Sequence, residues 1–87
     1  MHSHLPSLDD LLDALRKMDI EIRFEHLDGK GGGLCRMGKL SVFFVDLDDD
    51  PGTTTEAGLD ALLSLPGVER TFLQPSIREA LANRNGA

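Results

Sequence analysis

The sequence predicts one α+β domain, with a three- or four-stranded, mainly antiparallel sheet and helices packed on one of its faces. Three observations lead to this class. Apolar residues recur at helical spacing near both ends of the chain, they alternate or run together in its centre as they do in strands, and clusters of Gly, Pro and Asp separate these segments. The predicted order is α-β-β-β-α-(β)-α, in which the bracketed strand is one of two alternatives. The 87 residues suit a single domain, residues 1–87, and its ends, 1–6 and 83–87, are expected to be mobile.

The first helix is predicted from Leu8 to Met18, because leucines at positions 8, 11, 12 and 15 share one face. The hydroxyl of Ser7 is placed to cap its start. The first strand is predicted from Ile20 to His26, where apolar residues alternate with charged ones. Such alternation is typical of a strand with one buried and one solvated face.

A glycine-rich segment, residues 28–33, follows the first strand. It forms either a flexible turn or a segment whose backbone approaches something closely. The second and third strands are predicted over residues 34–37 and 40–47, joined at Gly38 into an antiparallel hairpin. The centre of the third strand, Val42–Val45, is apolar on both faces, which places this strand in the middle of the sheet.

In the C-terminal third, Thr53 and Glu56 form a capping-box pattern that predicts a helix from Thr54 to Leu65. Residues 68–73 suit either a fourth, short strand or an extended link. The last helix is predicted to begin at Pro75 and to end near residue 83.

The composition of the chain limits the kinds of partner and the cellular compartment that we expect for this protein. A formal net charge of −6 argues against binding to the phosphates of nucleic acid. The single cysteine, Cys35, excludes an intrachain disulfide and suits a reducing compartment. The first residues lack the basic start and apolar run of a signal peptide, and no stretch approaches the roughly 18 apolar residues of a membrane helix. We therefore expect a cytoplasmic protein that binds neither nucleic acid nor membrane.

Three alternating carboxylates, Asp46, Asp48 and Asp50, follow the third strand and are candidate metal ligands. Aspartates at the first, third and fifth positions are typical of calcium loops. A complete EF-hand also requires a glycine and a glutamate, and Pro51 and Ala57 stand in those places. The pattern therefore predicts at most a cation site of simpler construction.

The run Val42–Asp48, an apolar strand that ends in Asp-x-Asp, also resembles the first motif of the haloacid-dehalogenase phosphatases. This resemblance implies that Asp46 attacks a phosphoryl group, that Asp48 acts as acid and base, and that both help to hold magnesium. The sequence departs from that family directly afterwards, because Asp49–Pro51 stand before the Gly-Thr pair.

Cys35 and Arg36, which follow the glycine-rich segment, are candidate contacts for a ligand or a partner. If Arg36 or His26 lies beside the thiol, a nucleophilic thiolate is favoured. The alternative is a small buried apolar residue, since neighbours on a strand point to opposite faces. Zinc is disfavoured, because Cys35 with His2, His4 and His26 forms no recognised ligand spacing.

A spaced pattern, GGLCR-x-G, then FVDLD, then P-x-x-REAL, extends from Gly32 to Leu81. Over roughly Ile20 to Leu81, the chain resembles a group of small bacterial proteins of unknown function. The resemblance implies a small domain of the same kind and brings no activity, cofactor or site residue with it.

No complete catalytic set is recognisable, so the sequence favours a small non-enzymatic protein without a cofactor that binds itself or another protein. Phe43 and Val45 are candidate partner contacts, because one of the two apolar sets of the third strand has no helix to cover it. A homodimer formed through the sheet is one such arrangement. The alternative is a metal-dependent enzyme or cation-binding module that uses the acidic loop Asp46–Asp50.

Overall fold

The computed structural model describes residues 6–86, which form three α-helices, a 3-10 turn and a three-stranded mixed sheet. In chain order the elements are α1 (Leu8–Lys17), β1 (Glu21–Glu25), β2 (Gly33–Met37), β3 (Leu40–Asp46), α2 (Pro51–Ser64), the 3-10 turn (Val68–Arg70) and α3 (Pro75–Gly86). The predicted α+β class is confirmed. Of the predicted mobile ends, residues 1–5 and 87 lie outside the described residues, Pro6 is buried, and residues 83–86 continue α3.

Helix α1 forms where the leucine pattern predicts it. The Ser7 hydroxyl accepts a hydrogen bond from the backbone N–H of Asp10 at 3.1 Å, which satisfies a donor in the first turn. Leu11 and Leu15 on the apolar stripe are fully buried. The local sequence pattern therefore predicts this element, whose apolar stripe packs into the core.

The sheet has the order β1-β3-β2, with β3 in the centre as predicted. Strand β2 pairs with β3 antiparallel, but β1 pairs with β3 parallel. The prediction of a mainly antiparallel sheet is therefore wrong for β1, because alternation of apolar and charged residues does not reveal the direction of pairing. Since β1 and β3 run the same way, the chain leaving β1 passes the carboxyl end of β3 before it enters β2. We call this segment, residues 26–32, the crossing loop.

The crossing loop runs so close to β3 that it requires glycine. A Cβ atom on Gly32 would lie 1.8 Å from the carbonyl oxygen of Phe44 and 3.2 Å from the backbone nitrogen of Asp46. No side chain fits at that distance, and the neighbouring atoms are backbone. Of the two alternatives for the glycine-rich segment, the close backbone approach is the one observed.

The hairpin of β2 and β3 is confirmed. A two-residue turn pairs Met37 with Leu40. Gly38 begins this turn with a φ of 65°, as the first central residue of a type II′ turn requires. The turn sets the register, so that Cys35 lies opposite Val42.

The alternation of β3 separates two apolar sets. Phe43 and Val45 point to one face, where they join Ile22 and apolar side chains from all three helices in one buried cluster. The helices therefore pack on one face of the sheet, as predicted. The other face, which carries Val42 and Phe44, is called the open face below.

Helix α2 begins at Pro51 rather than at Thr54. Asp50 caps it, since its carboxylate accepts hydrogen bonds from the Thr53 backbone N–H at 3.3 Å and the Thr53 hydroxyl at 2.6 Å. The predicted cap at Thr53 is wrong because Asp50 together with Pro51, whose ring is preorganised for a first turn, starts the helix one turn earlier.

Residues 68–73 form the 3-10 turn and an extended link, and no strand. From α3, the Arg78 guanidinium donates hydrogen bonds to the carbonyl oxygens of Val68, at 2.8 Å, and Thr71. These carbonyls are therefore satisfied by a side chain and not by a neighbouring strand. Helix α3 extends past the predicted end at Asn83, and there Arg84 forms ion pairs with two carboxylates of α2.

We expect Gly32→Ala to lower the free energy of unfolding by about 2 kcal/mol, because the added methyl group must displace the backbone of β3. Urea unfolding followed by circular dichroism measures the change. Gly29→Asn is the matched control, since Gly29 has a φ of 71°, which Asn tolerates, and a Cβ there meets no atom within 4 Å. Equal unfolding midpoints for Gly32→Ala and the wild type would contradict the close crossing.

Candidate functional site

The carboxylate of Asp46 lies at the carboxyl end of β3, underneath the crossing loop, and Asp46 is only 1% exposed. Its Oδ1 accepts hydrogen bonds from the backbone N–H groups of Leu27 at 3.0 Å and Asp48 at 2.9 Å. Its Oδ2 accepts one from the N–H of Gly31 at 3.0 Å. One carboxylate thus joins both halves of the crossing loop to the end of the central strand.

The hydrogen bonds decide the charge of this group. Burial by itself would raise the pKa of Asp46, because the charged form loses water. Backbone N–H groups outweigh burial and hold the pKa below the ordinary value of 3.8; they belong to Asp48, Leu27, Gly31 and Gly29. Asp46 is therefore ionised at neutral pH, with its lone pairs directed at backbone donors.

Asp48 holds the outer part of the same loop. Its Oδ2 accepts a hydrogen bond from the Asp28 N–H at 2.8 Å, and its Oδ1 lies 3.0 Å from Nδ1 of His26. The bond between the two side chains lowers the pKa of Asp48 and raises the pKa of His26 above 6.5. His26 contacts Asp48 beyond the carboxyl end of β3, whereas Cys35 lies opposite Val42 within the sheet.

The two remaining aspartates of residues Asp46–Asp50, here called the acidic segment, differ in the direction of their pKa shifts. The hydrogen bonds from Thr53 lower the pKa of Asp50, which caps α2. The pKa of Asp49 is raised, first by burial and then by repulsion from the carboxylates of Asp46, Asp50 and Asp48. Asp49 is thus the aspartate of the segment whose negative charge is disfavoured by its surroundings.

The candidate metal ligands Asp46, Asp48 and Asp50 are close in sequence but engage different groups. The first two bind the crossing loop and the third binds the first turn of α2. Within residues 6–86, no group of three or more His, Cys, Asp or Glu side chains is placed to hold a metal ion. His2 and His4, weighed above for zinc, lie outside the described residues. What the three carboxylates do in this structure is satisfy backbone donors.

Cys35 and Arg36 are both exposed, and they point to opposite faces of β2. Cys35 lies on the open face, opposite Val42. Arg36 is therefore not positioned beside the thiol, and the geometry does not assemble a thiolate nucleophile. The other alternative, a buried apolar cysteine, is also not what the structure contains.

Phe43 and Val45, the predicted partner contacts, lie on the face of β3 that the helices cover. Phe43 is 0% exposed and Val45 is 4% exposed, because the three helices cover both. Neither is accessible to a partner in this structure. The pattern showed that one apolar set faces away from the helices, but not which one.

The open face carries that second set. Its apolar part, on β2 and β3, consists of Cys35, Met37, Leu40, Val42 and Phe44, of which Val42 is itself buried and Phe44 is half-buried. Met37 is 47% and Leu40 40% exposed, although both are large apolar residues. A shallow depression of about 330 Å³ lies at the other end of this surface, beside the crossing loop, where Gly33, Cys35 and Phe44 border it. In the sequence, the only indication of this surface is that Val42 and Phe44, two positions apart, must share one face of the strand.

Comparison of the chain with protein-family models, curated proteins and solved structures finds no match. The resemblance to small bacterial proteins stays a prediction. Among the described residues, 6–86, no helix has the length and apolar character needed to cross a membrane.

We expect Asp46→Asn to lower the melting temperature by about 5 °C or more, because an amide cannot accept all the hydrogen bonds of the carboxylate. Asp49→Asn is the matched control and should be neutral or stabilising, since it removes a repelled charge. Thermal unfolding at pH 7 measures both.

Acid sensitivity tests the same contact independently. The pKa of Asp46 is lower in the folded than in the unfolded chain, so its contribution is present above about pH 4 and is lost as the pH falls through the folded value. The wild type should therefore lose more stability on acidification than Asp46→Asn. Parallel acid profiles for the two proteins would show that the carboxylate does not anchor the loop.

The pair of His26 and Asp48 should act in the opposite direction. The pKa of His26 is raised on folding, so the contribution is present below pH 6.5 and disappears as the pH rises through the folded value. An NMR titration should give His26 a pKa above 6.5 in the wild type and a lower one in Asp48→Asn. The effect on stability is small, because the His26 side chain is 74% exposed. An identical His26 titration in both proteins would rule out the pairing.

Proposed function

We propose that this protein acts by binding a polypeptide, a second copy or another protein, through its open face and that it is not an enzyme. The observation that carries the proposal is the exposure of Met37 and Leu40 beside Cys35 on a sheet face that no helix in residues 6–86 covers. Exposed apolar side chains that lie together mark interaction surfaces more often than isolated ones do.

The layout of the open face supports binding to a polypeptide. The register makes its apolar side chains contiguous, with Met37 beside Leu40 and Cys35 beside Val42. Strand β1 adds a charged border on the same face, formed by Glu21, Arg23 and Glu25. An apolar centre with a polar rim is the usual anatomy of a protein interface.

The acidic segment gives less support to the alternative, a metal-dependent enzyme or cation-binding module. Asp46, Asp48 and Asp50 all accept hydrogen bonds from their own chain, so a cation would have to compete with backbone donors. A cation that binds only the folded state raises the melting temperature. A clear rise with millimolar Mg²⁺ or Ca²⁺ would favour this alternative over the binding proposal.

We expect the protein, purified gently from its own source cells, to show a native mass larger than one chain. Leu40→Glu should lose the polypeptide bound at the open face, and with it that part of the mass, because a charge on this apolar surface cannot be desolvated in an interface. Phe72→Glu is the matched control, since Phe72 is 75% exposed and lies on the link before α3. Its mass should equal that of the wild type.

Two results would overturn the proposal. One is a wild type that carries no second polypeptide. The other is a larger mass that Leu40→Glu and Phe72→Glu leave equally unchanged. Circular dichroism of each variant separates loss of binding from loss of folding.

A further inference from the structure

We propose that a second copy of this chain pairs with it along the free edge of β2, antiparallel, with Cys35 opposite Cys35 on the two-fold axis. The inference rests on the proposed binding function and names the partner. Strand β2 has β3 on one side, and within residues 6–86 the sheet order leaves its other side without a strand. Such an edge presents unpaired peptide groups that another strand can bind.

The register shows which peptide groups are free. A two-residue turn closes on a hydrogen-bonded pair, here Met37 and Leu40, and hydrogen-bonded pairs then alternate along the hairpin. Gly33, Cys35 and Met37 therefore direct their peptide groups toward β3. Leu34 and Arg36 direct theirs outward, and within residues 6–86 neither makes a further backbone hydrogen bond.

The other edge of the sheet is poorly suited to self-pairing. Strand β1 carries Glu21, Arg23 and Glu25. Antiparallel pairing of two β1 strands about Arg23 would set Arg23 against Arg23 and Glu21 against Glu25, and like charges directly opposite are destabilising. Pairing of β1 with β2 of another copy leaves two edges free and produces an open chain of molecules. Pairing of β2 with β2 closes as a dimer.

Charge and geometry select the register. Centring on Arg36 would set two guanidinium groups opposite each other. Centring on Leu34 would bring in Gly32, which is already pressed against Phe44 of its own chain. Centring on Cys35 avoids both and lets Leu34 and Arg36 exchange about four hydrogen bonds with the second copy.

The depression on the open face has an occupant in this register. Gly33 lies opposite Met37 of the second copy, and Gly33 borders the depression of about 330 Å³ beside Phe44. Met37 is 47% exposed in the single chain, so a flexible apolar side chain meets an apolar hollow where the facing residue has no side chain. By symmetry the contact occurs twice. The two open faces then form one six-stranded surface.

The experiment separates this edge from every other contact. Sedimentation velocity at micromolar concentration should give a dimer for the wild type and for Arg36→Ala, which keeps the outward N–H. Arg36→Pro should give a folded monomer, because proline removes an edge donor and leaves the bonds to β3 intact. A monomeric wild type, or a dimer that persists in Arg36→Pro, would overturn the proposal.

Oxidative trapping gives a second measurement that does not need a folded proline variant. In the proposed register the two Cys35 Cα atoms lie about 4.5 Å apart, which a disulfide spans. With oxidised glutathione as the electron acceptor, Cys35 should form a covalent dimer about tenfold faster than a control thiol in Glu21→Cys/Cys35→Ser. Equal rates would indicate random collision.

These outcomes also distinguish failure of the edge from failure of the proposed function. A monomer in vitro, together with a second polypeptide that Leu40→Glu removes from the cellular protein, defeats the edge dimer alone. An edge dimer that Leu40→Glu leaves intact, with no further polypeptide bound, supports the edge and defeats binding through the open face.

Discussion

The carboxylate of Asp46 is the contact on which the remaining structure depends. A parallel β1 requires the chain to cross the end of β3, and the crossing loop brings backbone N–H groups to a place where no strand can accept their hydrogen bonds. Asp46 accepts those of Leu27 and Gly31 while it is 1% exposed. A buried charge is tolerated there because several donors replace its water. Gly32 supplies the matching space, since its lack of a side chain lets the loop approach β3.

This crossing also decides which surfaces are available. It carries β1 to one side of β3 and β2 to the other, so within the described residues β2 is an edge strand, and Met37 and Leu40 of the hairpin border solvent. The acidic segment resembles a metal or phosphoryl site in sequence, but its carboxylates accept hydrogen bonds from backbone N–H groups of the same chain. The hydrogen bonds between these carboxylates and the backbone, and the exposure of the hairpin, are thus two consequences of one topological feature.

Local patterns predicted the elements that local contacts determine. Helix α1 follows from its leucine stripe and the hairpin from Gly38. The direction of β1 could not be predicted, because the contacts that select it join Asp46 to amides 19 and 15 residues earlier. The alternation of side chains along a strand places Phe43 and Phe44 on opposite faces, yet only the packing of the helices decides which of them is covered. The carboxylates are evident in the sequence, but the donors that bind them are backbone N–H groups. Nearly every residue has such a group, so the sequence does not reveal which ones bind.

The most direct test follows the crossing itself through the ionisation of Asp46. Amide NMR spectra of the wild-type protein, recorded from pH 7 down to acid, report the N–H groups of Leu27, Gly31 and Asp48 one by one. If all three bind the Asp46 carboxylate, their proton shifts change together with one midpoint below 3.8, the ordinary value for aspartate. Separate midpoints, or a common midpoint at or above 3.8, would show that the carboxylate does not hold the loop and would contradict this account of the fold.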